Sequence, residues 1–156
     1  MDIKVAILSV IIGKEYVDCM QYCTKSKENY CKKHINCDLI IKTEKHPSLI
    51  NTGASWSKLA YVSDLIKKNK YDYIFMCDAD VIFMNYDFSI IDMIKKRFDL
   101  SKKIVISSEI NHIEQENFDE INEVHQQIFQ DDIICAGNMF FKNDDWNIKF
   151  IENLLS

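Results

Sequence analysis

Asp78 and Asp80 stand two positions apart where an apolar run ends, inside the segment YDYIFMCDADVIFMN (71–85). In an extended chain residues i and i+2 project from the same side, so the two carboxylates converge. No Lys or Arg lies between Lys70 and Lys95 to offset them. Two like charges gathered at the end of a buried strand lose hydration with nothing in return. A hard divalent cation, Mn²⁺ or Mg²⁺, resolves this, because oxygen ligands suit it and its remaining positions stay open to diphosphate oxygens. Such a site requires both groups on one side of the chain, with no lysine plugging them. The plainer alternative is a solvated turn after a strand.

Two further pieces lie at suggestive distances. Trp56-Ser57-Lys58-Leu59 opens a helix about twenty residues before the carboxylates, and Lys58 there is either a second positive contact for an anion or a surface lysine. Gly137-Asn138 interrupts an apolar run, and a glycine inside a strand marks a bulge or a close backbone approach. Asp131 and Asp132 precede that run. Asp132 is the candidate base for taking a proton from an acceptor hydroxyl, with a simple capping role as the alternative.

The elements that must position these residues alternate. Ile3–Ile12 is almost continuously apolar and β-branched, a buried strand stopped by Gly13. Lys14–His34, polar with scattered Val17, Met20 and Tyr30, reads as one helix on the sheet. Asp38–Thr43 is a second strand, followed by a loop at Pro47. Ser55 is placed to cap an amphipathic helix in which Trp56, Leu59, Ala60, Ser63 and Ile66 recur at three and four. Tyr73–Cys77 is a third strand, Phe88–Phe98 a helix, Ile104–Ser107 a fourth strand. Glu109–Gln130 is polar, part helix and part loop; Ile133–Lys142 is a fifth strand and Asp144–Leu155 a closing helix. This alternation over 156 residues predicts a single α/β domain with a mainly parallel sheet flanked by helices. In such sheets ligands bind outside the carboxyl ends of the strands, where Asp78 and Asp80 fall.

Composition removes several function classes. The net charge is −5 and Arg97 is the sole arginine, so nucleic acid is not an expected partner. Only three glycines occur, Gly13, Gly53 and Gly137, too far apart for a dinucleotide fingerprint or a phosphate-binding P-loop. Residues 104–141 hold eight acids and no Lys or Arg, either a solvated face or the rim of a cation or acceptor site. Of the six cysteines, Cys77 and Cys135 sit in apolar runs, and Cys31-x2-His34-x2-Cys37 lacks a partner cluster, so reduced thiols are expected rather than disulfides or zinc. No run approaches a membrane span, and Val5–Ile12 lacks the flanks of a signal peptide, which predicts a soluble, cytoplasmic chain.

The segments WSKLAYVSDLIKKNKYDYIFMCDADVIFMN and CAGNMFFKNDDW together resemble the metal-dependent GT-A glycosyltransferases. They are most similar to the family of yeast-type α-galactosyl- and α-mannosyltransferases and plant xyloglucan xylosyltransferases. The resemblance implies a GT-A-like fold, here short at its C-terminus, and a nucleotide-diphosphate sugar donor bound with Mn²⁺ or Mg²⁺. It implies a carbohydrate or other glycosylated acceptor and a retaining outcome. It places Asp78 and Asp80 at the metal and the ribose–diphosphate, Ser9 and Val10 near the base, Lys58 near the phosphates, and Gly137 and Asn138 beside the sugar and acceptor. Relatives supply a further metal-binding histidine from beyond the position of the last helix here, whereas the last histidines of this chain are His112 and His125. Two other readings compete. One is a non-catalytic or truncated nucleotide-sugar-binding relative. The other is a phosphatase of the haloacid dehalogenase type, with Asp78 as nucleophile and Asp80 as acid/base.

Overall fold

A computed structural model describes residues 2–108 and 134–156, and of Ser107, Ser108, Ile134 and Cys135 the backbone alone. Its elements are β1 (Val5–Val10), α1 (Lys14–Cys19), α2 (Gln21–Lys33), β2 (Cys37–Lys42), α3 (Ser57–Lys67), β3 (Tyr73–Cys77), α4 (Ile90–Arg97), β4 (Ile104–Ser108), β5 (Ile134–Lys142) and α5 (Asp145–Leu155). The strands form one sheet in the order β2-β1-β3-β5-β4. β1 pairs in parallel with β2 and β3, while β5 pairs antiparallel with both β3 and β4. Among the described residues four strands therefore run one way and β5 is reversed.

Both faces are covered, which is why β1 and β3 read as unbroken apolar runs instead of alternating ones. Ala6, Leu8, Val10, Ile74 and Met76 pack against Val62, Leu65 and Ile66 of α3 and Ile151 of α5. Val5, Ile7, Tyr73 and Phe75 face the other way, onto Tyr30 of α2 and Ile90 and Ile94 of α4. Phe75 and Phe140 stack at 4.2 Å between ring centroids across β3 and β5.

The helices depart from the sequence expectation in two places. Lys14–His34 is two helices, divided at Met20. α1 buries no residue, whereas α2 buries Cys23, Ser26, Lys27 and Tyr30, so the chain must turn to bring that second face inward. Ser55 caps nothing through its side chain; α3 is entered through a 3₁₀ turn, Ala54–Trp56. Ser57 Oγ instead accepts from the His46 N–H at 3.0 Å, and Trp56 is 44% exposed rather than packed in the core.

The ladder between β4 and β5 changes register, with Ile106 opposite Met139 but Ser107 opposite Cys135. Ala136, Gly137 and Asn138 lie between the two registers, and on the other side Asn138 stands opposite Cys77 of β3. The irregularity thus falls beside the end of β3.

Candidate active site

The chain leaves β3 at Asp78, between β1 and β5. The Asp78 N–H donates to the Gly137 carbonyl at 2.8 Å, and the Asp78 carbonyl accepts from the Val81 N–H at 3.3 Å. Ala79 is buried at this turn while Asp80 is exposed. Asp78 and Asp80 both line one cleft of about 250 Å³. Val10 of β1 and Ile12 just beyond it, Tyr16 of α1, Ala54 and Ser55 of the 3₁₀ turn and Lys58 of α3 complete its wall with Ala79. Both residues therefore border one cleft, at a turn rather than in the extended chain that their spacing assumed.

The charge environment differs from expectation. Lys58 Nζ pairs with Asp78 Oδ1, the two side chains being 27% and 35% exposed. Lys27 of α2 lies beneath the same turn with no exposed surface, donating to the carbonyls of Asp78 and Ala79 at 2.9 Å each and to Ser9 Oγ at 3.2 Å. Burial lowers the pKa of Lys27, and Cys77, Cys23, Asp80 and Asp78 oppose that shift. The expectation that no lysine reaches the pair is thus corrected. Lys58 of α3 pairs with the Asp78 carboxylate, so a cation at Asp78 must displace it and is not compelled as its counterion, while Lys27 meets the turn only through its backbone carbonyls. Among the described residues Asp80 makes no ion pair, and no third His, Cys, Asp or Glu joins the two carboxylates. Burial pushes the Cys77 thiol up to about 11, so in the free protein it stays protonated at neutral pH.

Val10 lines the cleft. Ser9 does not: it is fully buried, and its hydroxyl is occupied by the Cys77 carbonyl at 3.1 Å, the Asp78 carbonyl at 3.3 Å and the Lys27 ammonium. Its hydroxyl lies against the backbone of the turn, beside Lys27. Gly137 touches the turn through its backbone, and Asn138 lines a different, largely apolar cavity of about 630 Å³ with Tyr30, Phe75 and Phe140. Asp132, with Asp131, His112 and His125, lies outside the described residues.

Sequence reading placed a helix here but missed what α2 touches. Its buried face grips the segment after β3 along its length. Cys23 Sγ contacts the Asp80 carbonyl at 3.4 Å, Ser26 Oγ accepts from the Phe83 N–H at 3.1 Å, and the Tyr30 hydroxyl accepts from the Ile90 N–H at 2.9 Å. His34 Nε2 lies 2.9 Å from the Tyr86 carbonyl. Positions 23, 26, 27, 30 and 34 recur at three and four, a helical face that polarity disguised as a solvated one.

Residues 4–156 match the galactosyl transferase GMA12/MNN10 family. The chain belongs to that family. That family is one of glycosyltransferases, so the phosphatase alternative is set aside. A solved glycosyltransferase involved in the glycosylation of the major capsid of PBCV-1 superposes with a TM-score of 0.62 at 15% identity. That likeness covers 97% of this chain and 65% of the other, and at such identity it shows a shared fold. No protein of curated function matches by sequence. Among the described residues of this family member, no helix is long and apolar enough to cross a membrane.

Proposed function

We propose that the chain transfers a glycosyl group from a nucleotide-diphosphate sugar, bound with Mn²⁺ or Mg²⁺ at Asp78 and Asp80, to a hydroxyl of a carbohydrate or glycosylated acceptor. The observation that carries this reading is the meeting of Asp78, Asp80 and Lys58 in one cleft at the carboxyl end of β3. Two hard oxygen donors, with no third protein ligand among the described residues, suit a cation that keeps positions for diphosphate oxygens and water. Such a cation, when bound, neutralises charge on the departing diphosphate.

The chain's own residues supply the rest. Lys58 is shared between two anions, since its ammonium holds Asp78 in the free protein and faces a cleft sized for phosphate oxygens. Entry of the diphosphate gives Lys58 a second partner and releases Asp78 for the cation. Negative charge on the leaving oxygen grows toward the transition state, so a fixed ammonium there stabilises it more than the ground state. Val10, Ile12 and Tyr16 offer apolar and aromatic surface for a base at the opposite wall. Asp132 is the proposed proton acceptor for the acceptor hydroxyl, and the retaining outcome follows the resembled family.

A panel of nucleotide sugars assayed for Mn²⁺-dependent hydrolysis and transfer tests the reading. Turnover of one donor, lost in Asp78→Asn and Asp80→Asn, is the expected result. Donor binding without turnover favours the non-catalytic alternative, and metal-independent turnover contradicts the site.

A further inference from the structure

We propose that Lys27 is a positioning residue for this cleft: an ammonium buried behind the Asp78–Asp80 turn whose hydrogen bonds aim both carboxylates into it. The inference rests on the proposed function and adds a residue that never touches the donor.

A lysine ammonium has three donors and no acceptor. All three are used here, on Ser9 Oγ and on the carbonyls of Asp78 and Ala79. Lys27 makes no ion pair among the described residues. Fixing two successive carbonyls on the buried side fixes the peptide planes on either side of Ala79. Asp78 and Asp80 then have one direction left, toward the cleft they line. Ser9 completes the clamp by accepting from Lys27 while its own hydroxyl meets the Cys77 and Asp78 carbonyls. Keeping a charged group with no exposed surface is costly unless every donor is satisfied. A structural plug for this space needs no charge, and an apolar side chain of the same length fills it more cheaply.

Two effects of opposite sign act on cation affinity. The positive charge repels a cation, although two carbonyl dipoles stand between them. The aim of the ligands favours it, and loss of groups that orient metal ligands typically costs about 10–100-fold in affinity. Orientation is the larger effect, so removing the charge weakens metal-dependent binding instead of strengthening it.

The test is Lys27→Met, which keeps length and removes the donors. Titration calorimetry follows UDP and GDP with and without Mn²⁺, and amide exchange over residues 78–81 is followed in the metal-free protein. Lys27→Met is expected to speed exchange at 78–81 and to lose about 10–100-fold of the Mn²⁺-dependent gain in nucleotide affinity. Metal-free nucleotide affinity is expected to hold, which a general loss of structure does not allow. Unchanged or tighter metal-dependent binding by folded Lys27→Met overturns the inference while leaving the functional reading intact. Wild-type protein that binds neither nucleotide with Mn²⁺ contradicts that reading, and the inference falls with it. If Lys27→Met does not fold, Ser9→Ala decides, since it keeps the charge and removes one anchor. A smaller loss in the same direction supports the clamp, and no loss overturns it.

Discussion

The ion pair between Lys58 and Asp78 is a competitor for anything else that wants either partner. Partly exposed pairs of this kind are worth ~0.2–1 kcal/mol. Lys58→Met is therefore expected to tighten Mn²⁺ binding in the absence of nucleotide by up to about five-fold, because Asp78 is released. The same substitution weakens nucleotide binding in the presence of Mn²⁺, because a phosphate contact is lost. Calorimetry of Mn²⁺ alone and of UDP with Mn²⁺ reads the two signs separately, and a common sign removes Lys58 from the shared role. The carboxylates themselves were legible in the sequence, since their spacing and apolar flanks are local. Lys58 was legible as a contact for an anion, but its pairing with Asp78 was not, and neither was Lys27. Lys58 meets Asp78 across 20 positions and Lys27 meets it across 51, and only the packing of α2 and α3 brings them there.

Gly13, between β1 and α1, has φ 105° and ψ 134°, and a Cβ there would meet nothing within 4 Å. The obstacle to substitution is the backbone alone, at a cost of roughly 1–3 kcal/mol for a residue with a side chain. Gly13→Ala is expected to lower stability by about that amount in urea unfolding; an unchanged midpoint contradicts it. Its second effect is on the cleft, because Ile12 and Tyr16 flank this turn. Asp144 caps α5 by accepting from the Trp146 N–H at 2.9 Å and pairs with Lys103. Lys103 first and that N–H second hold the Asp144 carboxyl below the ordinary carboxylate range. Because the folded value is the lower one, this stabilisation is complete above about pH 4 and is lost as pH falls through the folded value. Asp144→Ala is expected to cost ~1 kcal/mol at pH 7 and much less in strong acid, measured by denaturation at both. Strand positions were legible because apolar runs bounded by Gly13 and the Asp78 turn have few alternatives. The direction of β5 was not, since a run buried on both faces carries no mark of which way it runs. The division of Lys14–His34 was equally hidden, because its cause is a polar face buried against another segment.

At the scale of the molecule, the parallel pairing of β1 with β3 is what places Val10 and Ile12 beside Asp78. The helices then divide the work: α3 brings Lys58 to the cleft, and α2 backs the turn from the opposite face of the sheet. A site built from three elements and two faces couples ligand binding to the whole fold. Nucleotide and Mn²⁺ at about 100 times their dissociation constant are expected to add ~2.7 kcal/mol to stability. The shift appears as a higher unfolding temperature, and Asp80→Ala should abolish its metal-dependent part. The family and the fold class were both readable from the DxD block and the Gly137-Asn138 block. The counterions were not, because charge balance at the site is a property of the assembled sheet. Calorimetric titration of UDP and GDP into wild type and Asp80→Ala, with and without Mn²⁺, addresses the centre of the account. Binding that strengthens with Mn²⁺ in the wild type and loses that gain in Asp80→Ala is the predicted result; identical affinities in all of these titrations contradict it.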